Sequence, residues 1–287
     1  MTDTLDLTRL VLLDSLTLGA VALRTSDPER LAPFYERAVG LSRLADTADR
    51  ITLGVEDRPL VVLLRDAAAQ ILARPAPGLF HLAVRVPDRQ ALAARVHALH
   101  ALGLRFGASD HLVSEALYVD DPDGNGVEIY RDRPEPEWPR NGKEISMATH
   151  RLNVGALAAE IPAPWSILPA PAGTDMGHVH LKVADLASAQ RFWCDAVGFT
   201  VMARYPGALF VAAGGYHHHL GLNVWQSANA APPPEGAAGL AFFEIRLPEK
   251  GIAAVAARVA AAGYPVETIA GGVVLRDPSG NTARLVA

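Results

Sequence analysis

The residues best suited to chemistry in this chain are histidines and one glutamate set at recurring positions. Asp110 to Glu128, DHLVSEALYVDDPDGNGVE, spaces an imidazole, a phenol and a carboxylate at His111, Tyr118 and Glu128. A second run, YHHHLGLNVW from Tyr216 to Trp225, carries His217, His218 and His219 in succession, while His81 and His178 each open an apolar stretch. Two imidazoles with one carboxylate leave open coordination positions on non-haem Fe(II). An unperturbed imidazole titrates near pH ~6.5 and is suited to taking and returning a proton near neutrality.

Strand alternation assigns these side chains to faces. In HLAVRVP, residues 81–87, Leu82, Val84 and Val86 form one apolar face, so His81, Ala83 and Arg85 occupy the other. The same division puts Val179, Leu181 and Val183 beneath a helix and His178, His180 and Lys182 opposite. In GVEIY, Val127 and Ile129 share the core face, and Glu128 and Tyr130 the other. Read as one late strand, 216–225 places His217 and His219 on one face and His218 on the other; spacing does not single out one of the three.

The elements that position these residues recur. Leu23 to Leu41, LRTSDPERLAPFYERAVGL, returns at Leu181 to Phe199 as LKVADLASAQRFWCDAVGF, and DPDGNGVEIY at 121–130 returns as DPSGNTARLV at 277–286. The chain therefore reads as four modules, 16–70, 78–132, 176–226 and 238–287, each a strand, an amphipathic helix and three short strands. The expected domains are 1–135 and 176–287, joined by a Pro-rich connection at 136–175. D-P-x-G-N is turn chemistry, and the AVG sequences end helices. His97, His100, His150 and His180 read as structural or solvated.

Composition narrows the function classes. The chain has 287 residues, 26 Lys+Arg against 31 Asp+Glu and a formal charge of -5, with no basic cluster, so nucleic acid is not an expected partner. No apolar run is long enough for a membrane span, and residues 1–14 lack the pattern of a signal peptide. The single cysteine, Cys194, forms no internal disulfide and is expected in the core; a reducing cytoplasm fits.

Four βαβββ modules, the H-x-x-L-x-V-x-D-L opening at His178 to Leu186 and the D-P-x-G-N exit resemble the vicinal oxygen chelate superfamily. That resemblance covers about four fifths of the chain and implies an α+β fold, with modules paired into two cupped mixed β-sheet barrels and helices outside. Asp110 to Glu128 further resembles the extradiol ring-cleavage dioxygenase signature, with His111, Tyr118 and Glu128 in its three key places. Ser109 departs from it, standing where the pattern has Gly, Asn, Thr, Ile or Val. The whole chain resembles the two-domain bacterial catechol 2,3-dioxygenase type.

Within such a fold, ligand counting selects the pairing. Modules 1 and 2 together offer Ala20, His81 and Glu128; modules 3 and 4 offer His178, Phe242 and Arg284. Only modules 2 and 3 collect His81, Glu128 and His178, leaving a ligand-free partner cup. The resemblance then implies Fe(II), with Mn(II) as the other ion, O2 as co-substrate and a small aromatic substrate of the catechol class. Tyr118 would hydrogen-bond the substrate, His111 would lie near it, and one of His217, His218 and His219 would be the acid-base catalyst. A homo-oligomer is compatible. Two other readings stand beside this one, a glyoxalase-like lyase or isomerase and a metal-free binding or resistance protein.

Overall fold

The computed structural model describes residues 15–72, 76–142, 144–162 and 167–287. The N-terminal stretch at 1–14 and residues 143 and 163–166 of the connection lie outside them. Module 1 runs β1 (Thr17–Thr25), α1 (Pro28–Phe34), β2 (Ser42–Asp46), β3 (Arg50–Val55) and β4 (Arg58–Arg65). Module 2 follows as β5 (Gly78–Arg85), α2 (Arg89–Ala101), β6 (Gly107–Asp110), β7 (Ser114–Asp120) and β8 (Gly126–Asp132). The connection holds β9 (Arg140–Asn141), β10 (Glu144–Ile145), β11 (His150–Arg151) and α3 (Val154–Ala158). Module 3 is β12 (Asp175–Lys182), α4 (Leu186–Gln190), β13 (Thr200–Tyr205), β14 (Ala208–Ala212) and β15 (Leu220–Asn223). Module 4 is β16 (Gly239–Arg246), α5 (Glu249–Ala261), β17 (Val266–Ile269), β18 (Gly272–Arg276) and β19 (Thr282–Val286).

The repeated residues explain the repeated shapes. Asp27 and Asp185 cap α1 and α4 by accepting from the backbone N–H of Arg30 and Ser188. Each helix then widens into a π-helical turn, Tyr35–Val39 and Arg191–Val197. Gly40 and Gly198 end these turns at φ 89° and 108°, a conformation that glycine adopts without steric cost. The widened turns present Tyr35 and Trp193 to the D-P-x-G-N loops of the following modules. There Tyr35 donates to Asp121 at 2.9 Å and Trp193 to Asp277 at 3.3 Å.

In every module the first and last strands pair in parallel, and the remaining pairs are antiparallel. Antiparallel pairing of β1 with β16 joins modules 1 and 4 into an eight-stranded sheet, and pairing of β5 with β12 joins modules 2 and 3 into a nine-stranded sheet. Each sheet thus takes one module from either side of the connection. Leu82, Val84, Val127, Ile129, Val179 and Leu181 are buried in the main core under the helices, so the opposite faces of β5, β8 and β12 line a cup. On the equivalent face of the other sheet lie Ala20, Ala22, Val62 and Phe242, with the Arg284 guanidinium 3.5 Å from the centre of the Phe242 ring. Those residues are no metal-ligand set.

One expected element is shorter than its alternation suggested. Only Leu220–Asn223 of the 216–225 stretch is strand, because Gly214 and Gly215, at φ 61° and 75°, turn the chain just before it. Residues 216–218 pack as a loop, so strand faces do not govern His217 and His218.

Candidate metal centre and its cup

Sheet register brings the ligand-type residues into one place. His178 pairs with Ala83, and Ala83 pairs with Glu128, so the three form a row across β12, β5 and β8. Neighbouring strands are ~4.8 Å apart. The carboxylate and the imidazole are therefore two strand spacings apart at the backbone and reach toward each other over the small methyl of Ala83, which is fully buried. His81, one residue pair along, completes the group. Glu128 Oε2 lies 3.0 Å from His178 Nε2 and 3.0 Å from His81 Nε2, and the two Nε2 atoms are 3.4 Å apart. All three side chains are buried.

The electrostatics favour a cation at this point. Burial alone would raise the Glu128 carboxyl, but the charge and hydrogen bond of His178, reinforced by His81, hold it well below the ordinary carboxylate range. Burial pushes His178 down to about 4, only partly offset by Glu128. An ionised carboxylate and a neutral imidazole are the forms in which these side chains ligate metals. Among the described residues, this trio is the group of histidine, cysteine or carboxylate side chains whose ligand atoms converge, within 4.8 Å, as a metal site requires.

The cup above the trio has a volume of about 240 Å³, close to the lower end of the roughly 300–1,000 Å³ typical of ligand pockets. Phe80, Phe210, Tyr205 and Trp225 supply aromatic walls, and Tyr205 and Trp225 are exposed at the mouth. No lysine or arginine is among the described residues lining it. The connection also contributes wall, through Met147, Ala148 and Thr149. This is a role the Pro-rich composition did not signal.

Tyr118 and His111 meet inside the cup. The Ala148 carbonyl, 2.7 Å from His111 Nδ1, can only accept, so that nitrogen donates. With Nδ1 as the donor, Nε2 is the accepting side of the ring, and the Tyr118 hydroxyl donates to it at 2.7 Å. Burial and the adjacent Glu128 charge push the Tyr118 phenol well above its ordinary value. Ser109 also lines the cup.

The three consecutive histidines take different positions. His218 lines the cup, its ring centre 4.1 Å from that of His178, and burial holds it well below the usual histidine range. His217 lies behind it, fully buried, with Nδ1 2.8 Å from His218 Nδ1 and Nε2 2.7 Å from Asp132 Oδ1. His219 is not among the cup-lining residues; its Nδ1 accepts from the Ala213 N–H.

His180, read as structural or solvated, is 3% exposed in the cup wall, its ring centre 4.9 Å from that of His81 and its Nε2 3.0 Å from the Asn223 amide nitrogen. A Cβ at Gly221 would come within 2.7 Å of that ring. This explains the glycine and gives a sequence signal, a lone glycine in a strand beside the histidine strand. Asp132 went unnoticed because a carboxylate at a strand end is ordinary in sequence. It accepts from His217, Tyr216 and Arg85. Burial would raise its carboxyl, but His217 and Arg85 outweigh that and hold it below the ordinary range. His97 bonds the Ala158 carbonyl, while His100 and His150 are exposed. No helix among the described residues is long and apolar enough to cross a membrane.

Known proteins share both sequence and shape with this chain. The sequence profile of the Glyoxalase/Bleomycin resistance protein/Dioxygenase superfamily matches residues 17–129 and 175–285. A catechol-2,3-dioxygenase of Bacillus subtilis (strain 168) is 37% identical over 267 residues, covering 91% of this chain and 93% of that protein. Among solved structures, a candidate dioxygenase of Bacillus subtilis aligns with TM-score 0.64 at 13% identity, over 93% of this chain and 84% of its own. Glyoxalase I of Zea mays aligns with TM-score 0.59 at 16% identity, over 95% and 92%. At those identities the structural likenesses speak for the fold alone.

Proposed function

The chain belongs to the glyoxalase/bleomycin resistance protein/dioxygenase superfamily, and from that premise we propose that it is an Fe(II)-dependent extradiol dioxygenase cleaving catechol or a substituted catechol with O2. The observation that carries the reading is the convergence of His81, Glu128 and His178 beneath an aromatic cup that also holds Tyr118, His111 and His218. The donor set fits a divalent ion, since two imidazole nitrogens and one carboxylate oxygen converge in a buried pocket and leave positions open on the cup side. A bound Fe(II) would supply a meeting point for catechol and O2 and a route for electron density between them. Mn(II) suits the same ligands.

The side chains of this chain divide the remaining work. Phe80, Phe210 and Trp225 enclose an aromatic ring and keep water from it. Because Tyr118 spends its proton on His111, its oxygen faces a substrate hydroxyl as an acceptor. His218, neutral and at the cup wall, takes a proton from the second catechol hydroxyl and returns it later; the overall reaction is catechol plus O2 to a muconic semialdehyde, with both oxygen atoms entering the product. With no lysine or arginine among the described residues of the lining, the ring substituents that fit are uncharged. The glyoxalase-like alternative shares the fold but offers no reason for a surplus of histidines around one carboxylate.

O2 uptake and ring-cleavage absorbance with catechol, measured on protein reconstituted anaerobically with Fe(II), test the reading beside a His178→Ala variant. Activity in the first and loss of both iron and activity in the second are expected. Metal-loaded protein that consumes no O2 with any neutral catechol overturns it.

A further inference from the structure

Behind the cup, polar side chains form a chain whose hydrogen-bond directions are determined by its end. Asp132 is an acceptor at both oxygens, and Arg85 Nη1 lies 3.1 Å from Oδ2. The Tyr216 hydroxyl donates to Oδ2 at 2.9 Å, and Tyr130 in turn lies 2.7 Å from the Tyr216 oxygen and donates to it. Oδ1 is left to His217 Nε2 at 2.7 Å, so that nitrogen carries a proton. With one proton on His217, held at Nε2 by Asp132, its Nδ1 is the accepting side of the ring, and His218 Nδ1, 2.8 Å away, then carries the proton between them. The remaining nitrogen of His218, Nε2, is left unprotonated in a ring that lines the cup.

We propose that Asp132 and His217 are positioning residues that set the tautomer of His218, so that His218 meets its substrate as a base at Nε2. The inference rests on the dioxygenase reading for its consequence, while the tautomer is argued from the hydrogen-bond chain with one proton on His217. In the proton-transfer step the substrate O–H bond breaks, a N–H bond forms at His218 Nε2, and the resulting imidazolium keeps its Nδ1–H bond to His217. The Asp132 carboxylate, through His217, stabilises that positive charge. The arrangement follows the general logic by which a carboxylate selects the reactive nitrogen of a histidine.

Replacing Asp132 by asparagine keeps the shape and alters the direction of the chain. An amide NH2 facing His217 Nε2 can donate, which favours a proton on His217 Nδ1 and on His218 Nε2, the wrong nitrogen for a base. The test has two independent readouts. Histidine ring 15N chemical shifts of the metal-free protein should show His218 protonated at Nδ1 and bare at Nε2, and Asp132→Asn should reverse this. In the iron-loaded enzyme Asp132→Asn should lower kcat about 100-fold or more, with KM changed by less than about threefold. Asp132→Glu should restore part of the loss, and Asp132→Asn should add almost nothing in a His218→Ala background. A wild-type His218 that carries its proton on Nε2 overturns the proposal even if Asp132→Asn does not fold, and so does a kcat left unchanged by Asp132→Asn. Absence of dioxygenase activity with the expected 15N pattern would fault the functional reading and leave the tautomer assignment standing.

Discussion

Ala83 is the smallest side chain in the row that joins Glu128 to His178, and its size is what lets the two side chains meet. Valine at this position adds two methyl groups to a site that is fully buried and shares its surroundings with Ala116, Tyr130 and Tyr118. Overpacking of this kind costs about 1–3 kcal/mol. Since 1.4 kcal/mol is tenfold in an equilibrium constant, metal affinity should fall by about 5- to 150-fold if the strain is relieved by parting the ligands. The assay is a competition titration with a metal-binding dye, run beside thermal unfolding of the metal-free protein. Weaker metal binding with a near wild-type melting temperature is the expected result; any strain not relieved at the ligands should lower that temperature instead. An Ala83→Val protein that binds metal and melts like the wild type would refute the argument that this methyl sets the spacing of the site. Ala83→Gly should bind metal normally, because nothing is added between the ligands.

Other consequences concern stability. Burial pushes His219 down to about 3. Below the unfolded value of ~6.5 the unfolded chain binds a proton that the folded one refuses, so stability is full above that pH and falls as pH is lowered toward 3. Between pH 7 and 5 this histidine alone accounts for a loss of about 2 kcal/mol, and His219→Gln should flatten the urea-denaturation profile by that amount; an unchanged profile would contradict the burial argument. Tyr35→Phe removes the buried bond that ties module 1 to the Asp121 turn of module 2. It should cost about 1.5–3 kcal/mol in urea unfolding, and no measurable loss would show the contact to be incidental.

The parts of this molecule legible in sequence are those with a period. Alternation in HLAVRVP and GVEIY assigned His81 and Glu128 to the face away from the helix because Leu82, Val84, Val127 and Ile129 are the core residues of those strands. The repeat of Leu23 to Leu41 at Leu181 to Phe199 made the modules visible. Ligand counting then selected the pairing of modules 2 and 3, because no other pairing considered gathers three ligand-type side chains; the structure joins them through β5 and β12. What escaped the reading depends on contacts without a period. The 216–219 stretch is a loop that two left-handed glycines turn out of the strand, so alternation could not rank its histidines. Asp132 matters through partners at positions 85, 216 and 217, distant or unremarkable in sequence. Met147, Ala148 and Thr149 reach the cup only because the connection folds back along the edge of the sheet, where β11 pairs with β6. His180 shares its face with His178, but its burial depends on Gly221 in a neighbouring strand.

The most direct test of the account is the fate of molecular oxygen. Iron-loaded protein should be given catechol under 18O2, and the ring-opened product analysed by mass spectrometry at early times in H2 18O-free water, before carbonyl exchange. The account predicts that both labelled atoms enter one product molecule and that His178→Ala, which lacks one of the three proposed metal ligands, forms none. Unlabelled product, or labelled product made equally well by His178→Ala, would contradict it.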